Sequence, residues 1–83
     1  MIEILTLFLG LVVGPHPVEL AVDPSVAAVD LELDGTLAAR LDQPPWQALV
    51  DFGPELVPHE LEAVAFDGEG SVSDRARREI TRP

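Results

Sequence analysis

Apart from its 15 Asp and Glu residues, this sequence has few side chains suited to catalysis or metal binding. It holds two histidines, His16 and His59, and no cysteine, whereas a zinc site needs three or four nitrogen or sulfur ligands unless carboxylates help. A nucleophilic triad needs a hydroxyl or thiol beside a base and an orienting acid. No hydroxyl lies in a nucleophile-elbow motif; the candidates are Thr6, Ser25, Thr36, Ser71, Ser73 and Thr81. We therefore predict no catalytic residue, no cofactor and no enzyme activity.

An acidic stretch over residues 58–70, PHELEAVAFDGEG, contains the strongest candidates for a metal site. Asp67, Glu69 and the nearby Asp74 lie around glycines, and carboxylate oxygens are the ligands that calcium prefers. However, the spacing does not match the D-x-[DN]-x-[DN]-G pattern of a calcium loop. An Asp-Gly turn whose carboxylate accepts local backbone N–H groups explains the same residues. Calcium is therefore a weak candidate and the turn is the favoured interpretation.

The charge is distributed unevenly along the chain. The formal net charge is −10, and Arg40 is the only basic residue before residue 75. Such an acidic body repels phosphate backbones, so we predict no nucleic-acid partner. The remaining arginines lie within residues 75–83, which we interpret as a basic strand end or tail, either solvated or in contact with an acidic partner.

The most apolar segment is the N-terminal MIEILTLFLGLVV. A strand buried on both faces and stopped by Gly14-Pro15 fits this composition. An uncleaved or remnant export signal is the alternative, although Glu3, the lack of Lys or Arg, and the missing A-x-A-like site disfavour it. The segment is too short for a membrane-spanning helix, which needs about 20 apolar residues.

A strand of this length needs a partner or a break. Twelve residues at about 3.3 Å each would extend about 40 Å, roughly twice the usual strand. One solution is that Gly10 breaks the strand, so that the chain crosses from one sheet to the other. The other is that part of the strand projects as an apolar edge that pairs with another chain. The candidate interface residues are Ile2, Ile4, Leu5, Leu7, Phe8, Leu9, Leu11 and Val13.

Alternation and turn residues predict a hairpin in the middle of the chain. Residues 27–33 alternate apolar and polar types, and Asp34-Gly35 signals the turn. A two-residue loop would place Glu32 opposite Leu37, a charge opposite an apolar residue. A three-residue loop instead pairs Leu31 with Leu37 and places the glycine where a left-handed conformation is needed. We therefore predict the three-residue loop.

The remaining segments read as further short strands. Alternation predicts strands from Trp46 to Phe52 and from Leu61 to Ala65, and residues 71–80 favour a last strand over a helix. Turn residues recur at regular intervals and no segment predicts a helix. This pattern indicates one antiparallel β-sandwich domain of six or seven strands over residues 1–83. The predicted core anchors are Leu31, Leu37, Trp46, Leu61, Ala63 and Ala65.

Three motifs resemble bacterial immunoglobulin-like domains. Pro58-His59-x-Leu61-x-Ala63-x-Ala65-x-Asp67-x-x-Gly70 is similar to their penultimate strand and turn, Val29-x-Leu31-x-Leu33-Asp34-Gly35 to an earlier hairpin, and Pro44-Pro45-Trp46 to the segment between. The combination resembles above all the domains that accompany von Willebrand factor A modules in bacterial extracellular proteins. The chain is too short to contain an A module, and Asp23-Pro24-Ser25 lacks the second serine of that module's metal motif.

The resemblance implies a non-catalytic Ig-like structural or interaction module of a bacterial extracellular or envelope protein, with a protein partner. It carries over no binding residue. The alternative is a self-assembling subunit, forming oligomers or filaments, whose N-terminal strand completes the sheet of a neighbouring copy. A third hypothesis is calcium-dependent binding at the turn after residue 66.

Overall fold

The computed structural model describes residues 1–81 as two antiparallel β-sheets, and no helix occurs in that range. One sheet has the order β1-β2-β5 and the other β4-β3-β6-β7. The all-β sandwich predicted from the sequence is therefore confirmed, with seven strands. They are β1 Ile2–Ile4, β2 Pro15–Val22, β3 Ala28–Leu33, β4 Thr36–Leu41, β5 Gln47–Asp51, β6 His59–Phe66 and β7 Val72–Ile80.

Aliphatic side chains from both sheets fill the space between them. Alternation places every second residue of a strand on the inner face, because successive side chains point to opposite sides of a sheet. Four of the predicted core anchors have no exposed surface: Leu31, Leu61, Ala63 and Ala65. Full burial of a Leu, Ile or Val side chain stabilises the fold by about 1.5–3 kcal/mol, so this layer is the main source of stability.

The β3–β4 hairpin turns through two residues, not three. Leu33 pairs with Thr36, and Asp34 and Gly35 form the loop with φ angles of 53° and 83°. Two successive residues with positive φ match the right-handed twist of the flanking strands. The predicted left-handed conformation of Gly35 is present, but the predicted loop length is wrong.

A β-bulge reconciles this short loop with the apolar faces of the hairpin. Glu32 pairs with Leu37 next to the turn, and the register then shifts so that Leu31 pairs with Ala39. Ala38 is left without a partner and is the extra residue of the bulge. Leu37, which was predicted to be a core anchor, therefore lies on the outside with 56% of its surface exposed.

The first strand is much shorter than predicted, because of two prolines in β2. The ladder continues past Ile4 only as far as the Leu5 N–H, which donates to the Glu19 carbonyl at 2.8 Å. The next residues of β2 that face this side are Pro17 and Pro15, and a proline has no N–H to donate. The prediction of one strand over residues 2–13 is therefore wrong beyond Ile4.

Two candidate interface residues belong to the core. Ile2 and Ile4 are 6% and 4% exposed, and their strand pairs with β2 of the same chain. They are not available to a partner, so the prediction that they form an interface is wrong.

The basic end of the sequence forms β7 rather than a free tail. Arg75 lies 3.4 Å from a carboxylate oxygen of Glu62, and Arg77 lies 3.9 Å from one of Glu60, both on the adjacent strand β6. The prediction of a basic strand end is thus met up to residue 80. Arg82 and Pro83 lie outside the described residues.

Arg78 joins the two sheets. Its Nη2 donates to the Ile4 carbonyl at 2.9 Å and its Nη1 to the Thr6 carbonyl at 3.0 Å. Both acceptors are at the end of β1, whereas Arg78 itself is in the other sheet. The guanidinium therefore pairs with carbonyl groups on the edge of the N-terminal strand that faces away from β2, since its fixed fork of donors suits two acceptors at once.

We predict that Arg78→Gln lowers the free energy of unfolding by about 1–3 kcal/mol, since hydrogen bonds from a charged donor are stronger than neutral ones. Arg77→Gln is the matched control on the same strand, and its exposed ion pair leads us to expect a change within about 0.5 kcal/mol. Urea denaturation of both variants measures the difference. Equal losses in the two variants would contradict the role assigned to Arg78.

Candidate functional site

The N-terminal segment, residues 5–13, runs across the surface outside either sheet and is attached at both ends. At its start, Thr6 Oγ1 accepts a hydrogen bond from Glu19 N–H at 2.8 Å and lies 3.4 Å from the Pro17 carbonyl, to which it donates. The Thr6 hydroxyl thus occupies the place of the next backbone groups of the ladder. At its end, the Gly14 N–H donates to the Gly53 carbonyl at 2.7 Å.

Alternate residues of this segment are buried and exposed. Phe8 and Val12 pack against the core cluster. Leu5, Leu7 and Leu9 are 51%, 72% and 80% exposed, and we call these three residues the leucine ridge. An exposed leucine is common in itself, but three at alternate positions of one short segment expose more apolar surface than isolated residues do, and exposed apolar surface marks contact sites.

The other candidate interface residues divide between the two sides of the segment. Val13 is 46% exposed, whereas Phe8 and Leu11 are half-buried. Of the eight residues in the sequence-based set, only Leu5, Leu7, Leu9 and Val13 remain open to a partner.

Both histidines lie in an aromatic cluster at the end of the sandwich next to this segment. Phe8 has ring-centroid separations of 5.4 Å from His16 and 5.9 Å from Phe52. Phe52 in turn meets the His59 ring edge to face at 5.6 Å. Such contacts add stability beyond the area they bury. The cluster therefore fixes the middle of the N-terminal segment to strands of both sheets.

His59 is held by Asp34, which sequence reasoning did not predict. Its Nδ1 lies 2.6 Å from Asp34 Oδ2, and since a carboxylate only accepts, Nδ1 carries the donated proton. Asp34 Oδ1 also accepts the Glu60 N–H at 2.8 Å. Asp34 and His59 are 25 positions apart, so no local sequence pattern indicates that they meet.

The charge state of Asp34 is set by these contacts. The hydrogen bond from His59 and then that from the Glu60 N–H hold the pKa of Asp34 below its usual range. A group whose pKa is lowered on folding stabilises the fold above its unfolded pKa, and that contribution is lost as the pH falls through the folded pKa.

The three calcium candidates are not brought together. Asp67 Oδ1 accepts the backbone N–H groups of Glu69 and Ser71 at 2.9 and 3.0 Å, as in an Asx turn. Asp74 Oδ2 instead accepts the Ile2 N–H at 3.1 Å. Within residues 1–81 no group of three His, Asp or Glu side chains is arranged to hold a metal ion. The structure therefore does not support the calcium hypothesis.

The arrangement of strands has a counterpart among solved structures. Fibronectin(III)-like modules of Clostridium thermocellum CbhA match with a TM-score of 0.80 over 99% of this chain and 96% of that chain. The chain has a fibronectin(III)-like fold. The sequence identity is 16%, so the match concerns the fold alone. No protein-family model matches the sequence, and no curated protein is significantly similar to it.

The fibronectin(III)-like fold is one form of Ig-like β-sandwich, which confirms the sequence-based resemblance in its broader form. An association with von Willebrand factor A modules is not part of that match and stays a prediction. Among the described residues, none forms a helix long and apolar enough to cross a membrane.

We predict that Asp34→Asn lowers the stability at about pH 7 by on the order of 0.5–1 kcal/mol, a value reduced because Asp34 is half exposed. The difference from the unaltered chain should be smaller at about pH 3, because the pH then approaches the lowered pKa of Asp34 and the stabilisation by its carboxylate begins to be lost. Guanidinium denaturation at both pH values measures it.

Glu55→Gln is the control for this experiment, because Glu55 is exposed and its side chain makes no ion pair with another described residue. A difference between Asp34→Asn and the unaltered chain that is the same at both pH values would contradict the role of the carboxylate charge.

Proposed function

We propose that this chain is a non-catalytic fibronectin(III)-like module that acts as a spacer and interaction element of a bacterial extracellular or envelope protein. The spacer role is supported mainly by the path of the chain, which runs from one end of the sandwich to the other. The Ile2 N–H contacts Asp74 near the start of β7, whereas Ile80 at the other end of β7 pairs with His59. Six residues of strand separate these positions by about 20 Å.

This path suits a spacer. The sandwich measures 38 × 21 × 19 Å along its principal axes. A chain that enters at one end of the long axis and leaves at the other holds its flanking segments apart. Its well-filled aliphatic core resists bending between them. Fibronectin(III)-like folds are generally non-catalytic, which also supports this role.

The bacterial source and the location are parts of the same proposal. The composition, rich in Ala, Val, Leu, Gly, Pro, Asp and Arg, fits a GC-rich bacterial genome, and the matched modules come from a bacterium. The extracellular or envelope location is supported by the resemblance of the motifs to Ig-like domains of bacterial extracellular proteins. On the same resemblance, we propose that a von Willebrand factor A module accompanies this module in the same protein.

The leucine ridge is the surface we propose for contact with a protein partner. Leu7 and Leu9 are its most exposed members, and apolar residues of this kind provide the contact area of protein interfaces. We favour a different protein over a second copy, because two copies that each carry a net charge of −10 repel one another. Self-assembly by strand addition is less favoured, because β1 pairs within its own chain.

We expect the chain to stay monomeric across about a hundredfold range of concentration, where mass action would reveal any self-association. Light scattering after size-exclusion chromatography measures the mass. An oligomer that is lost in Leu7→Ser/Leu9→Ser and retained in Leu56→Ser, a control at a leucine that is also mostly exposed but lies outside the leucine ridge, would overturn the preference for a different partner.

A pair of spin labels tests the spacer. The chain has no cysteine, so Glu69→Cys and Glu55→Cys can be labelled specifically in turns at opposite ends of β6. We expect one narrow distance distribution centred at roughly 25–40 Å, given about 3.3 Å for each residue of the strand. The same distribution should persist when a second domain is fused to each end. A broad or bimodal distribution would contradict a rigid spacer.

A further inference from the structure

A cleft lies at the end of the sandwich opposite the aromatic cluster. Its volume is about 430 Å³, within the range of small ligand sites. The ends of β2 and β4 and the starts of β3 and β5 surround it. Its lining combines valine and alanine side chains with Pro24, Pro44, Trp46, Gln43, Asp23 and Asp42. This surface is separate from the leucine ridge, and its role does not depend on the spacer function.

Trp46 gives the cleft an aromatic wall. The residue is half-buried and packs against the core cluster while also lining the cleft. Its carbonyl accepts the Leu20 N–H at 2.9 Å, which fixes its backbone beside β2. The prediction that Trp46 is a core anchor is thus met in part, because the residue packs against the core and also lines the cleft. Tryptophan is the side chain that attracts cations most strongly through its ring face.

The ionisable side chains of the cleft are both carboxylates. Asp42 makes no ion pair or side-chain hydrogen bond with another described residue. Asp23 Oδ2 lies 2.7 Å from the Met1 amino group, and this contact is the main reason that the pKa of Asp23 is lowered to about 2. One wall of the cleft therefore already contacts an ammonium group, and Asp42 offers a second, unpaired carboxylate.

The hydrogen-bonding groups in the cleft favour a donor-rich ligand. The carboxylates of Asp23 and Asp42 only accept, and the side-chain N–H donors are confined to Trp46 and Gln43. An arginine or lysine side chain only donates and is positively charged, so it complements both the acceptor atoms and the charge of the carboxylates, whereas a neutral sugar complements only the acceptor atoms. A net charge of −10 also raises the local concentration of cations around the molecule.

We propose that this cleft binds a basic side chain of an extended segment in a partner protein. The cation would lie against the Trp46 ring with its N–H groups directed to Asp42. Pro24 and Pro44, which line the cleft beside Trp46, would contact the neighbouring parts of the segment, since extended proline-rich peptides bind in grooves lined by aromatic side chains. A guanidinium fits better than an ammonium, since it both stacks on an aromatic ring and pairs with a carboxylate.

Intrinsic fluorescence reads this site directly, because Trp46 is the only tryptophan and the chain has no tyrosine. The probe is a capped proline-rich peptide with one central arginine, titrated into the full chain. Its matched control is the same peptide with uncharged citrulline in place of arginine. We expect a saturable change in Trp46 emission with the arginine peptide and at least about tenfold weaker binding of the citrulline peptide.

Two variants complete the test. Asp42→Asn, at an exposed position, should weaken binding by about tenfold or more without shifting the denaturation midpoint. Glu55→Gln removes the same charge away from the cleft and should bind as the unaltered chain does. Equal binding of the two peptides, no saturable change, binding heat without any Trp46 response, or a preference for a neutral oligosaccharide would each overturn the proposal.

Discussion

The absence of N–H groups at Pro15 and Pro17 is the constraint on which the rest of this sandwich depends. Each proline removes a donor from the side of β2 that faces the N-terminal segment, so β1 ends at Ile4 although apolar residues continue to Val13. The segment must then find other hydrogen-bond partners, because backbone groups left unpaired away from water are costly. At the point of departure the Thr6 hydroxyl pairs with the groups that β2 still offers, the Glu19 N–H and the Pro17 carbonyl, and the leucine ridge follows directly after β1.

The two sheets are tied together by contacts other than the aliphatic core. Arg78 reaches from β7 to the carbonyls at the end of β1. At the far end, Asp34 in the β3–β4 turn holds His59, whose ring meets Phe52 at the end of β5. Each contact joins residues far apart in sequence across the edge of the sandwich.

The sequence allowed prediction of features that rest on local patterns. Alternation in β6 indicated the buried face of Leu61 and Ala63, and the Asp-Gly dipeptide located the hairpin. Errors arose where a distant partner decides the outcome. The extent of β1 depends on which groups β2 offers to it. The exposure of Leu37 depends on a bulge that no single residue marks, and the Asp34–His59 contact requires two turns to meet.

The bulge at Ala38 has a consequence for copies of this fold placed side by side. It lies in β4, an edge strand, and interrupts the row of backbone groups that a foreign strand would have to match. The opposite edge of the same sheet, β7, carries exposed Arg75 and Arg77, whose like charges oppose pairing with an identical strand. Both edges of the four-stranded sheet are therefore poorly suited to pairing with the same sheet of a neighbouring copy.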